Sequence, residues 1–337
     1  MGTWDSRGTP LRQARRRKRK GEPGTARWAS IEAGVESYLQ SVGIGGYQEW
    51  NVFWERLAEK HGPIAEEVAQ AISAQEEDDD VDVYALKNRT LALSMDVTSQ
   101  YCHQMYREFL RWFLRERFPE PKSLLDVGCD NGVLTCFYGA LYPEAGVVGV
   151  DKGKQGIARA RELASRLNLA NVRFEVCDLL NPAGAFPDQS FDLIVSTTVF
   201  HEVLEFPEDL PEHRCCSIDE IQRGSEDLES MKIVAGVVRL LGTQAGVLVS
   251  MERCSDAASL AWWIRLLNQA GLRIVADRNT LLKFSDADRE LQTLPIVVAT
   301  RNQHPTVNAR DEFLAFRMYG DTAGSKEQYP FQGEEGA

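Results

Sequence analysis

No apolar run in this 337-residue sequence approaches the length of a bilayer crossing, so no transmembrane helix is expected. The first residues also lack the apolar core of a secretory signal. Cysteine occurs seven times, at 102, 129, 136, 177, 215, 216 and 254, but never as a CxxC pair. So odd and scattered a set argues against a disulfide framework. It fits reduced thiols in a cytoplasmic setting, four of them expected as small core residues. Positive charge is in deficit: 38 Lys and Arg against 50 Asp and Glu give a net charge of −12. An acidic body repels a polyanionic duplex, which disfavours bulk nucleic-acid binding. Internal repeats are absent as well.

What is present is ordinary for a globular chain. Hydrophobic residues make up 43% and aromatics 9%, with room for one large domain and something smaller. Residues 1–29, rich in Gly, Pro, Arg and Lys, read as a disordered arm. Its run RQARRRKRK (12–20) fits a solvated tail, a nuclear localisation signal, or an RNA or phospholipid contact. The start MGTWDS also matches the short myristoylation pattern at Gly2. Residues 30–118 read as a helical cap and lead-in, interrupted near 76–82 by the acidic linker EEDDD. Within it, Val52, Trp54, Leu57 and Ala58 form one apolar face, and Pro63 opens the next helix. Met105, Phe109 and Trp112 recur at helical spacing in DVTSQYCHQMYREFLRWFLRERF, a stripe suited to packing on a sheet.

From 122 the texture changes. The short runs SLLDVGC, VVGVD, VRFEVCD, FDLIVST, GVLVSM, LRIVAD and IVVAT alternate with helical segments. That alternation predicts an α/β domain over 119–303, a doubly wound, mostly parallel seven-stranded sheet with helices on both faces. Gly271 suits the left-handed position that stops a helix. Residues 304–337 read as a polar tail.

In a doubly wound sheet, ligands bind beyond the carboxyl ends of the central strands. SLLDVGCDNG (123–132) stands where the first strand ends. Gly128 and Gly132 allow a tight turn and close backbone approach, and Asn131 suits a cap for the helix beginning near Val133. Asp151 ends the second strand, where a carboxylate accepts both hydroxyls of a ribose. Asp178 follows the third strand, placed to accept from an adenine amino group. A glycine loop alone is equally compatible with a nicotinamide dinucleotide; the succession of stations separates the two.

That succession resembles the class I S-adenosylmethionine-dependent methyltransferases over roughly residues 100–302. DVGCDNG is similar to their first motif, an acid and a glycine loop around the methionine end of the cofactor. RLLGTQAGVLVSMER resembles their connection into the fifth strand. The resemblance implies a Rossmann-like fold and S-adenosyl-L-methionine as cofactor, bound by Asp126, Gly128, Asp130, Gly132, Asp151, Lys152, Asp178, Leu179 and Thr197. Asp130 departs from the family's middle glycine. Asp tolerates left-handed backbone angles, and a cofactor carrying a sulfonium and no pyrophosphate accepts acidic neighbours.

The implied activity is methyl transfer to oxygen or nitrogen of a small molecule. Alternatives are an RNA or protein acceptor recruited by the basic arm, or a non-catalytic cofactor-binding module. After the fourth strand, TTVFHEV lacks both the Pro-Pro-Tyr signature of amide methylation and a Pro-Cys pair. His201 is the expected general base, since imidazole titrates near neutral pH, and Glu202 is expected to orient it or to occupy the helix's first turn. The polar insertion 203–229 reads as a lid over the acceptor pocket. It holds His213, Cys215 and Cys216, but adjacent cysteines chelate one tetrahedral ion poorly, so no metal is expected. Trp262 and Trp263, placed to wall an apolar acceptor or to fill the core, and Tyr101 and Tyr106, placed to touch cofactor or substrate or to pack, are expected to be buried.

Overall fold

The computed structural model describes residues 30–75, 82–179, 185–186, 189–204, 206, 228–242, 246–254, 256–301, 314–315 and 317–319. The basic run, the acidic tract at 76–80, most of the 203–229 insertion with His213, Cys215 and Cys216, and most of the tail lie outside them.

Strands β1 (Ser123–Val127), β2 (Gly146–Asp151), β3 (Val172–Val176), β4 (Leu193–Thr197) and β5 (Val247–Met251) run parallel in the order β3-β2-β1-β4-β5. The chain steps outward from β1 to β3, then returns to place β4 on the other side of β1. That reversal opens a crevice at the carboxyl ends of β1 and β4. Side chains alternate across the sheet: Leu124, Val147 and Leu193 enter one core, Leu125, Val148 and Ile194 the other. Both faces are apolar because helices cover both.

Three further strands complete the sheet: β6 (Leu272–Ile274), β7 (Thr280–Ser285) and β8 (Leu291–Arg301). β8 is antiparallel to β5, and both β6 and β7 pair antiparallel with β8. Among the described residues the sheet therefore has eight strands, one more than the expected seven. The additional strand is β7, whose sequence TLLKFS buries only Leu282 fully and so shows little alternation. It exists through its register with β8, from Thr280↔Ile296 to Ser285↔Leu291, closed by a turn in which Asp286 accepts the backbone N–H of Asp288 and Glu290.

Helices α1 (Ile31–Val42), α2 (Trp50–His61), α3 (Pro63–Gln75), α4 (Val83–Lys87) and α5 (Leu91–Glu116) precede the sheet. Of the expected stripe of α5, Met105 and Phe109 are buried and Trp112 is half-buried against the same core; Leu110 and Phe113 complete the buried face, packed with Val35, Tyr38 and Leu39 of α1 and with Leu282, Leu294 and Ile296 of the sheet. On α2 the buried positions are Phe53 and Leu57, whereas Ala58 is exposed, so the expected face is rotated by about one residue. Pro63 does open α3. Helices α6 (Val133–Leu141) and α7 (Lys154–Arg166) pack with α5 on one face. The other face carries α8 (Phe200–Val203), α9 (Leu228–Arg239) and α10 (Ala257–Gln269). Trp262 and Trp263 of α10 are buried as expected, as are Cys129, Cys136, Cys177 and Cys254. Tyr106 is half-buried, but Tyr101 is 38% exposed, its ring lying against Trp50 instead of the core. Gly271, with φ of 91°, follows α10 in the left-handed conformation. Among the described residues no helix is long and apolar enough to cross a membrane.

Candidate functional site

The loop after β1 is fastened to β2 through its own backbone. The N–H groups of Gly128 and Cys129 both donate to the Val150 carbonyl, at 2.8 and 2.9 Å. Gly128 has φ of 71°, and a Cβ there would lie 2.1 Å from Cγ2 of Val199. Gly132 has φ of 78°, and a Cβ there would lie 2.7 Å from Cβ of Ala160. Glycine is required at both for conformation and for space. Asp130 sits between them at φ of 43°, so the acid holds the left-handed turn that a glycine would make more easily.

The same residue joins the loop to the next strand end. The Asp130 peptide N–H donates to Oδ2 of Asp151 at 2.9 Å, and Gly153 N–H donates to Oδ1 at 2.7 Å. Burial raises the Asp151 pKa, while these two donors pull it down. Cys177 N–H donates to the Asp151 carbonyl at 2.9 Å, which brings the exit of β3 beside that of β2. There Asp178 is exposed and Leu179 buried; Lys152 is exposed beside Asp151, and Thr197 is buried at the end of β4. Gly128, Asp130, Gly132 and Asp151 thus form one tight constellation, with Asp178 on its rim.

Asp126 lies deeper. It is 2% exposed and accepts the Thr135 hydroxyl of α6 at 2.5 Å. Burial pushes its pKa up to about 7; the Thr135 hydrogen bond opposes that rise and the nearby Asp151 charge adds to it.

Asn131 departs from its expected role as a helix cap. Gly132 takes the N-cap position of α6 without any side-chain bond. Asn131, fully buried, donates instead to the hydroxyls of Ser94 and Thr98 on α5, at 2.9 and 2.8 Å. Ser94 in turn donates to Asn88, and Asn88 donates to Oδ1 of Asp130 at 2.6 Å. Lys87 Nζ reaches Oδ2 of Asp130 at 2.8 Å. The helical lead-in therefore grips the loop through both Asn131 and Asp130.

At the mouth of β4, His201 is 13% exposed at its side chain, and its Nδ1 lies 3.2 Å from Oε2 of Glu252. Glu252 is 1% exposed and follows β5 directly. Its Oε1 accepts the hydroxyls of Ser196 and Ser250, each at 2.9 Å, and its Oε2 also accepts the N–H of Val199 at 3.0 Å. Glu252, not Glu202, is thus the carboxylate that meets the His201 ring, and Glu202 occupies the first turn of α8, the other place expected of it. Glu202 accepts the Tyr84 hydroxyl of α4 at 2.8 Å instead.

Sequence reasoning missed Glu252, Lys87, Asn88 and Tyr84. Glu252 did carry a signal, a charged residue immediately after an apolar strand at the ligand-binding edge, the same one that marks Asp151. The three residues of α4 and its C-cap carried none.

Residues 120–257 match the family model described as "Methyltransferase domain". That stretch is similar to a methyltransferase domain, and the β3-β2-β1-β4-β5 order of its parallel strands is the doubly wound, Rossmann-like one. Among curated proteins, the chain is similar to a putative methyltransferase 235L of Invertebrate iridescent virus 6, at 33% identity over 22% of this chain and 25% of the relative. It is also similar to a malonyl-[acyl-carrier protein] O-methyltransferase of Paenibacillus sp., at 30% identity over 34% of this chain and 42% of the relative. A third relative is ribosomal RNA large subunit methyltransferase G of Vibrio cholerae, at 33% identity over 27% of this chain and 24% of the relative. The chain spans less than half the length of each. Among solved structures, the O-methyltransferase of a trans-AT PKS multienzyme of Brevibacillus brevis, in complex with S-adenosyl-L-homocysteine, is 16% identical with a TM-score of 0.43. That match covers 64% of this chain and 81% of the other.

Two outcomes are expected of the loop. Gly128→Ala should lower stability in urea denaturation by about 1–3 kcal/mol from backbone strain, plus a clash term. Adding Val199→Ala should restore only the clash term, and full recovery by the double variant would contradict the backbone argument. For Asp126, the folded pKa near 7 lies above the unfolded value of about 3.9. The contribution of protonated Asp126 to stability is therefore fully present below about pH 4 and is lost as pH rises toward about 7. Asp126→Asn cannot ionise, so it should gain on the parent across that window, by up to a few kcal/mol at about 1.4 kcal/mol per unit. Parallel stability–pH curves for the two proteins would refute the assignment.

Proposed function

We propose that the chain is a methyltransferase that uses S-adenosyl-L-methionine to methylate an oxygen or nitrogen of a small molecule, with His201 as general base. On this reading residues 30–118 form a helical cap, and 119–303 form the catalytic domain. The crevice suits the cofactor. The carboxylates of Asp126, Asp130 and Asp151 gather around the loop, hospitable to a sulfonium and to ribose hydroxyls but not to a pyrophosphate, while the missing Cβ of Gly128 makes room for Val199. Asp151 would take the ribose hydroxyls with Lys152 beside it. Asp178 and Leu179 would border the adenine. Gly128 and Gly132 would allow close approach at the methionine end, flanked by Asp126, Asp130 and Thr197. When bound, the cofactor supplies a methyl group already activated by positive sulfur.

The observation that carries the reading is the buried Glu252 on His201. A carboxylate facing Nδ1 selects the tautomer with hydrogen on that nitrogen, which leaves the Nε2 lone pair to take a proton from a hydroxyl or amine. Serine hydroxyls and a backbone N–H hold Glu252 in turn, so the imidazole is fixed rather than free to rotate. Orientation of the acceptor and exclusion of water make up the rest of the protein's contribution.

The net charge of −12 favours a compact acceptor over a polyanion, and the likeness to a malonyl-[acyl-carrier protein] O-methyltransferase supports oxygen as the acceptor atom. A second reading, an RNA acceptor recruited by residues 12–20, draws support from the likeness to the ribosomal RNA enzyme. Under the first reading the site of action is the cytoplasm; the basic run would serve the second there or in the nucleus. Deleting residues 1–29 separates the two: turnover should persist for a small molecule and collapse for a recruited polymer. Incubation with labelled cofactor and a metabolite extract identifies the acceptor, and absence of label in every fraction would count against the first reading.

Asp151→Ala is expected to weaken cofactor binding about 10- to 100-fold in calorimetry, since buried hydroxyls lose a charged partner. An unchanged Kd would remove Asp151 from the site. His201→Ala should lower kcat about 10²- to 10⁴-fold while leaving the cofactor Kd within about twofold. Normal turnover in that variant would end the base assignment.

A further inference from the structure

Trp50 and Trp54 of α2, Ala69, Ile72 and Ser73 of α3, and Tyr101 of α5 line an open groove of about 290 Å³. The Trp50 ring stacks on Trp54 with centroids 6.4 Å apart and planes 18° apart, and its centroid lies 5.3 Å from that of Tyr101. Both tryptophans are half-buried and Tyr101 is 38% exposed, so an aromatic wall faces solvent. The other wall carries the small residues Ala69 and Ser73, one turn apart on α3, which leave room between the walls for an incoming side chain. Among the described residues, these three helices alone line the groove.

The charge beside it is one-sided. From Pro63, which opens α3, to Asp82 the sequence holds eight acids and neither Lys nor Arg. Glu66 shares the helix stripe of Ala69 and Ser73, and Glu67 beside it meets Arg89 at 2.6 Å. The chain has one run of the opposite character, RQARRRKRK at residues 12–20, with seven bases and no acid, outside the described residues. An aromatic wall beside carboxylates suits arginine, whose planar guanidinium stacks on a ring face while its N–H groups reach acids. We propose that the groove is the docking site of the chain's own basic arm, residues 12–20, held by arginine on the Trp50–Tyr101 wall and by the acids of α3. The arm can reach it. The first turn of α1 lies beside the end of α5, where Arg115 Nη2 meets Glu32 at 2.9 Å. Tyr101 stands 14 positions back along α5, about 21 Å at ~1.5 Å per residue. The 14 residues that carry the chain from Arg16 to Ser30 extend up to about 46 Å, more than twice that distance. A tether long enough to span the gap favours capture within one chain over capture between chains. A body of net charge −12 also repels a second copy of itself and anionic lipid. The docking is independent of which cofactor or acceptor the crevice takes.

Hydrogen exchange and carbodiimide cross-linking of the full chain test this without any ligand. A full-length variant with Arg15→Gln, Arg16→Gln, Arg17→Gln and Arg19→Gln alters no described residue. At low salt, amides of α2 and α3 should exchange about threefold faster or more in that variant than in the unaltered protein, with β1 and β5 unchanged. The difference should vanish near about 0.5 M salt, where exposed charges are screened. In the unaltered protein, carbodiimide should join Lys18 or Lys20 to Glu66 or Glu67. Ser73→Arg, which sets a cation at an exposed position of the groove, should cut that product about fivefold or more. Mixed ¹⁴N- and ¹⁵N-labelled chains show whether both linked peptides come from one molecule. Links found only between chains would assign the groove to the arm of a second copy and overturn the proposal. Equal exchange in the two proteins would overturn it as well. So would cross-links scattered over surface acids and indifferent to Ser73→Arg, which would make the arm a solvated tail.

Discussion

The hydrogen bond from the Asp130 peptide to the Asp151 carboxylate is the contact on which the site's geometry turns. It fixes the loop after β1 against the end of β2 and sets the acid at a defined distance from the two glycines. The loop could not take this path with side chains at Gly128 or Gly132, and β2 could not hold it without the paired N–H groups at Val150. Everything assigned to cofactor recognition is measured from that junction.

Two layers of polar contacts then lock the junction from above. Asn131 reaches Ser94 and Thr98, and Asp130 reaches Asn88 and Lys87, so helices that precede the domain in sequence form the roof of its crevice. A buried amide with two hydroxyl partners is costly to disturb, because each orphaned group would lose its hydrogen bond away from water. The roof therefore holds the loop after β1 in place. On the other side of β1, Glu252 does equivalent work for His201, gathering two serine hydroxyls and a backbone N–H so that one imidazole edge is fixed.

Some of this was open to inspection in the linear chain. The glycine loop, the acid closing β2 and the histidine after β4 stand at places where strand periodicity and turn chemistry make the reading local. Glu252 was visible in the stretch SMER but was read only as part of a connecting segment. Glu202 is adjacent to His201 in sequence, yet a side chain one position along a helix points away from its neighbour. Its carboxylate meets Tyr84, while the true partner lies 51 positions on. Asn131 was misjudged for a related reason: its cap-like setting was legible, but the hydroxyls of α5 that compete for it were not.

Sequence alone determined the alternation of strand and helix, the need for glycine at 128 and 132, and the acids at the strand ends. These follow from side-chain period, backbone sterics and the position of a residue relative to its own strand. Tertiary structure decided the eighth strand, the burial of Asp126, and the partners of Asn131, His201, Glu202 and Asp130. Apart from β7, which its hairpin register with β8 fixes, these depend on contacts between different elements of the chain, and no local pattern encodes which side chains the packing of the sheet and its roof will bring within hydrogen-bonding reach.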